Sequence, residues 1–137
     1  MNRTELQTLA LVRARDAEAL LAAGQWSGAY YLAGYAVECG LKACIALLTR
    51  EFEFPARESV LRSYTHKLET LVDVARLKNE RDGELRSNPA FTRNWNTAAS
   101  WTEESRYALW SEAEARIMVE AIADVRDGVL TWIMAHW

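Results

Sequence analysis

Residues 28–48, GAYYLAGYAVECGLKACIALL, constrain the fold more than any other part of the chain. The stretch has no proline and only isolated glycines, and Leu32, Ala36, Cys39, Ala43 and Leu47 recur in steps of three and four. That spacing lays an apolar stripe along one side of an α-helix. A second stripe, Tyr31, Tyr35, Glu38 and Lys42, runs beside it, about 100° further round. It sets two phenols next to a Glu→Lys pair four residues apart, the favoured order for an ion pair along a helix. Ala33, Gly34, Ala36 and Gly40 are small enough to let a neighbouring helix come close. The stretch therefore reads as the central helix of a bundle, touched on several sides.

The flanking sequence repeats the helical period. Thr4-Glu5-Leu6-Gln7 has the form of a capping box and opens a first helix to about Ala23,. Gly24 suits a left-handed cap, and Ser27 suits the start of the central helix, which ends near Thr49 or Arg50,. So short a link makes the first two helices antiparallel neighbours. Residues 51–65, with Phe52, Phe54 and Pro55, read as a connector holding a helical turn around Glu58–Leu61. Thr65 caps a third helix from His66 to about Leu77, with Leu68, Leu71, Val72 and Ala75 as its stripe. A polar run, Lys78 to Asn88, reads as a loop closed by the turn signal Asn88-Pro89,. A short helix follows from Pro89 to about Ala99,. Ser111-Glu112-Ala113-Glu114, a second capping box, opens the longest helix, to near Ala135, with Ala115, Met118, Ile122, Val125, Val129 and Trp132 inward,. The expected fold is all-α, an antiparallel up-and-down bundle of four to five helices in a single domain over residues 1–137,.

Charge narrows the function classes. A net charge of −3 argues against non-specific nucleic-acid binding through the whole surface,. The distribution is uneven: residues 76–93 carry five basic against three acidic side chains, and residues 111–127 carry five acidic against two arginines. Cys39 and Cys44, five apart on one helix, point in different directions and cannot bridge, so both read as reduced thiols and imply a cytoplasmic setting,. Two Cys and two His lack zinc-ligand spacing, and neither a metal nor a cofactor is expected,. The charged N-terminus is no signal peptide, and no window approaches 18 uncharged apolar residues, so no membrane span is expected,.

Three segments together resemble the HEPN domain family. The first is the central helix, with its tyrosines, Ala36, Glu38 and Leu41-Lys42-Ala43, where that family has Ala-x-Glu followed by a Lys-Ala pair. The second is Thr65-His66-Lys67-Leu68, similar to the family's His-x-Leu segment. The third is Ser105-Arg106-Tyr107, where the family often has Arg-Tyr. Their order matches over nearly the whole chain. The resemblance implies an up-and-down bundle, frequently a homodimer, with a nucleotide- or RNA-related role. Some members are metal-independent ribonucleases, often the toxins of toxin–antitoxin pairs. Others accompany a small nucleotidyltransferase, and some are non-catalytic dimerisation modules. The ribonucleases carry an arginine, four to six residues, then a histidine. Here Arg62 and His66 are separated by three residues, and Arg106 is followed by no histidine before His136, so that pattern is not met.

The residues expected to make a polar site are Tyr31, Glu38, Lys42, His66, Arg106 and Tyr107. Lys42 and Arg106 would hold phosphate, and a tyrosine would stack on a base. His66 would donate a hydrogen bond or, in a catalytic member, act as base. Arg106 is a natural partner for Glu38, since a guanidinium can bridge a carboxylate and a phosphate. The same groups can instead simply lock helices together. Trp26, Trp95, Trp101 and Trp110 are core anchors before they are stacking platforms, and Trp132 and Trp137 could mark a dimer seam,. The leading expectation is a nucleotide- or RNA-binding accessory module that works with a protein partner.

Overall fold

A computed structural model describes residues 1–49 and 53–137. Among them are eight α-helices: α1 (Arg3–Ala22), α2 (Trp26–Leu48), α3 (Arg57–Ser63), α4 (Leu68–Val74), α5 (Lys78–Ser87), α6 (Pro89–Ala99), α7 (Glu112–Ala123) and α8 (Val129–Met134). A 3-10 helix covers Glu103–Tyr107, and no strand occurs among the described residues. The all-α class is as expected. The expected end of α2 at Arg50 and the connector residues Glu51 and Phe52 lie outside the described residues.

Helix α2 is the hub. It packs against α1, α4, α7, α8 and the 3-10 helix. Val37, Leu41 and Ala43 on it are fully buried, whereas Leu47, expected inside, is exposed at the helix end. Small residues make these close approaches possible. A Cβ at Gly34 would overlap the Trp101 indole, and one at Gly40 would press on Ile133 and Leu130 of α8. By length and composition α2 could cross a membrane, contrary to the expectation from charge, but 56% of its apolar window is buried within this fold. Only Glu38 and Lys42 interrupt that apolarity, and both lie on the polar stripe.

Local chemistry moved several boundaries. The first capping box sits two residues earlier than expected. Asn2 Oδ1 accepts from the Glu5 amide at 2.9 Å, and Glu5 reaches back to the Asn2 amide at 2.8 Å. Asn is as good a cap as Thr, and it takes the role because Glu5 can close the box. Helix α2 starts at Trp26 without a side-chain cap. The Ser27 hydroxyl instead accepts from the Trp110 amide at 2.9 Å. Gly24, at φ 77°, ends α1 as expected, with its amide and that of Gln25 returned to Leu21 and Leu20,. Helix α4 is shorter than its apolar stripe suggested. Arg76 takes the left-handed position (φ 60°), and the Arg76 and Leu77 amides bond back to Asp73 and Val72,.

Two expectations fail outright. Residues 78–87 are helical, not a loop. The segment is anchored by Arg81, whose side chain is 6% exposed and pairs with Glu69 at 2.6 Å and Asp82 at 2.8 Å. The Arg81 guanidinium also lies 4.9 Å from the centre of the Trp95 ring,. A charged residue thus fills a core position, which hydrophobic periodicity cannot register. The expected single helix from Ser111 to Ala135 is broken between α7 and α8. The Asp124 carboxylate accepts from the Arg126 and Asp127 amides at 2.9 and 2.7 Å, a local turn that competes with helix,. Gly128 follows, where a Cβ would strike the Asp124 carbonyl. Val125, expected inside, is 85% exposed on this turn. The Ser111 capping box and the helix from Pro89 form as expected, the latter capped by Asn88, which accepts from the Phe91 amide at 3.1 Å.

Candidate functional site

The polar stripe of α2 starts from an apolar wall. Trp101 lies over Gly34 and donates from Nε1 to the Tyr31 carbonyl at 3.2 Å. This fixes the N-terminal turns of α2 against the segment that leads into the 3-10 helix. Trp110, stacked on Tyr30 with ring centres 3.7 Å apart, donates to the Ser105 carbonyl at 3.1 Å. The two indoles clamp the segment that carries Arg106 and Tyr107. Neither indole was expected to position the site; the density of tryptophans between 95 and 110 was the available signal.

Glu38 is the centre of the stripe, with its side chain only 3% exposed. Lys42 Nζ donates to Glu38 Oε1 at 2.8 Å. His66 Nδ1 lies 3.0 Å from each Glu38 oxygen. A carboxylate can only accept, so this geometry assigns an imidazole proton to Nδ1. The partners are wetter than the carboxylate: the Lys42 and His66 side chains are 24% and 48% exposed. His66 precedes α4 rather than starting it, and Lys67 is the cap residue. Thr65 Oγ1 accepts from the Lys67 amide at 3.2 Å, a tight turn that holds His66 out toward α2 instead of capping the helix,.

Further along the stripe, the Tyr31 and Tyr35 rings run parallel, 6.1 Å apart. Burial, with Cys39 and Glu38 nearby, pushes the Tyr35 phenol above its ordinary range,. The Arg106 guanidinium lies 5.0 Å from the Tyr107 ring centre. The neighbouring Tyr107 and then Tyr31 hydroxyls hold its pKa up. Arg106 is therefore turned to the tyrosines, and Glu38 finds its partners in Lys42 and His66. This corrects the expected Glu38–Arg106 pair: Tyr31, which neighbours Arg106, lies about two turns from Glu38 along α2,. Arg62, the arginine nearest His66 in sequence, pairs with Asp73 and holds that carboxyl below its usual range.

The structure thus joins Glu38, Lys42 and His66 directly, and Tyr31, Arg106 and Tyr107 as a second group on the same face of α2. Among the described residues, surface hollows lie elsewhere, along α1 and at the end of α2. Among the described residues no group of three His, Cys, Asp or Glu is arranged to hold a metal. Fold and site define an all-helical protein whose core helix carries a buried Glu, held by a Lys of the same helix and a His from the link before α4. Compared with protein-family models, curated proteins and solved structures, the chain matches none.

Proposed function

We propose that this chain is a HEPN-like bundle that binds nucleotide or RNA as an accessory module. It would act in the cytoplasm, as a homodimer and with a protein partner such as a small nucleotidyltransferase, in a toxin–antitoxin-like pair. The four longest helices, α1, α2, α6 and α7, form the bundle's frame in this reading. The observation that carries the reading is the row of polar groups along one face of α2, from Arg106 at Tyr31 to His66 and Lys42 at Glu38. From Tyr31 to Lys42 the row runs about 16 Å at 1.5 Å per residue. That length suits more than one phosphate. Arg106 offers a planar fork to one phosphate, Lys42 a point charge to another, and Tyr107, 74% exposed, a face for a base,. His66 is half-exposed, with Nδ1 fixed by Glu38.

Arg106→Ala should weaken binding of a single-stranded RNA oligonucleotide at least about fivefold. It should also flatten the dependence of log K on log salt by about 0.7, the share of one phosphate contact. Urea unfolding should stay cooperative, because the side chain is exposed. Unchanged affinity by calorimetry refutes the assignment. The Glu38–His66 contact favours one further reading, a metal-independent endoribonuclease with Nε2 as base. It predicts RNA cleavage in EDTA that vanishes in His66→Ala, and intact RNA at high protein concentration excludes it.

A further inference from the structure

We infer that the trough between α1 and the α7–α8 pair docks a basic amphipathic helix of a partner protein. Two hollows of about 640 and 350 Å³ meet there, since Glu18 and Ala123 line both. The trough is floored by Leu21, Trp26, Val119, Ile122 and Leu130. Its mouth leaves apolar side chains in water: Leu11 is 37% exposed, Met134 42% and Val125 85%. An apolar surface so placed, with a polar rim, is the form in which helices are received by grooves. From Leu11 to Ala22 the trough follows about 16 Å of α1, three turns of a partner helix.

The rim specifies the sign of the occupant. Glu18, Glu112, Glu120 and Asp124 face Arg15 and Arg116, four acidic against two basic groups, a net of −2. Arg116 is tied to Glu112 at 2.9 Å. Asp124 accepts two backbone amides in the α7–α8 turn. Among the described residues Glu18 on α1 and Glu120 on α7 make no ion pair, so one carboxylate stands on each wall. Lysine or arginine flanking the apolar face of an incoming helix would complement both. A second copy of this chain seated trough to trough would set acid against acid, which disfavours it. This inference uses no part of the reading at Glu38 and stands or falls separately.

The test uses dye-labelled peptides of about 16 residues and fluorescence anisotropy with the whole protein. One peptide carries Leu at helical spacing with Lys elsewhere; the second has the same composition scrambled; the third replaces Lys by Glu. The patterned Leu/Lys peptide should bind about tenfold or more tighter than either control. Ala123→Trp, which fills the trough, and Glu18→Lys combined with Glu120→Lys should each remove about tenfold. Glu58→Lys combined with Glu80→Lys, the same charge change elsewhere, should stay within about twofold. If Ala123→Trp does not fold, the surface Glu18/Glu120 variant decides alone. Equal binding of patterned and scrambled peptides overturns the inference, as does equal loss in the two charge-reversal variants. A dimer in gel filtration that Ala123→Trp dissociates also overturns it, by giving the trough to a second copy.

Discussion

Replacing Gly34 by alanine should destabilise the protein, although alanine is the better helix former. In an unobstructed helix the change would stabilise by about 0.5–1 kcal/mol. Here the added methyl falls within the Trp101 ring, whose Cγ, Cδ1 and Nε1 are the nearest atoms. The indole is 2% exposed and its Nε1 is committed to the Tyr31 carbonyl, so it cannot swing aside freely. Overpacking of this kind costs about 1–3 kcal/mol, and loss of the indole hydrogen bond adds about 1. After the propensity gain the net loss is about 2 kcal/mol. For a 137-residue chain that corresponds to a fall in Tm of about 6–10 °C,. The assay is urea and thermal unfolding of Gly34→Ala, Trp101→Leu and the double variant. With the indole removed, alanine at 34 should be neutral or stabilising. A raised Tm in Gly34→Ala, or the same loss in the Trp101→Leu background, refutes the reasoning. Because Trp101 also seats the segment bearing Arg106, Gly34→Ala should weaken RNA binding alongside stability.

Four other outcomes follow from buried groups. Lys42→Met removes the ammonium from a carboxylate 3% exposed and should cost about 1.5–3 kcal/mol in urea unfolding,. In a cycle with Glu38→Gln the two changes should couple by about 1 kcal/mol or more, and strict additivity would show that the pair contributes nothing. Burial pushes the Cys39 and Cys44 thiols up to about 11 from an ordinary 9.0, so both are neutral in the fold at pH 8,. A thiol reagent at pH 8 should leave the native protein untouched and modify two thiols in denaturant. The stabilisation from keeping the thiols neutral is complete below about pH 9 and disappears as pH rises through 11. Cys44→Ala should flatten the alkaline fall in Tm, and an unaltered slope would contradict the shift.

The apolar period of α2, the Gly24 link, the Ser111 capping box and the helix from Pro89 were all legible, because each rests on neighbours within a few residues. The polar stripe was legible for the same reason, since Tyr31, Tyr35, Glu38 and Lys42 share one helix. What was not legible depends on contacts between distant segments. Arg81 belongs to the core only because Glu69 and Trp95 arrive beside it. The α7–α8 break needs the Asp124 turn and the clash at Gly128, which an alternating apolar pattern hides. Arg106 lies with Tyr31, not Glu38, because two indoles fix where its short helix meets α2, and no spacing rule carries that distance.

The α7–α8 break also sets an order of assembly. The Cys44 thiol reaches the Ile133 carbonyl across 89 residues of sequence, whereas α1 and α2 are joined by a link of three. Closing the longer loop loses more chain entropy before any contact repays it, so the hairpin of the first two helices forms ahead of the docking of α8. Amides of residues 129–134 should be the later ones to gain protection in pulsed hydrogen exchange during refolding. Until they dock, the far end of α2 stands open to water, and that interval is when this chain is most exposed to self-association.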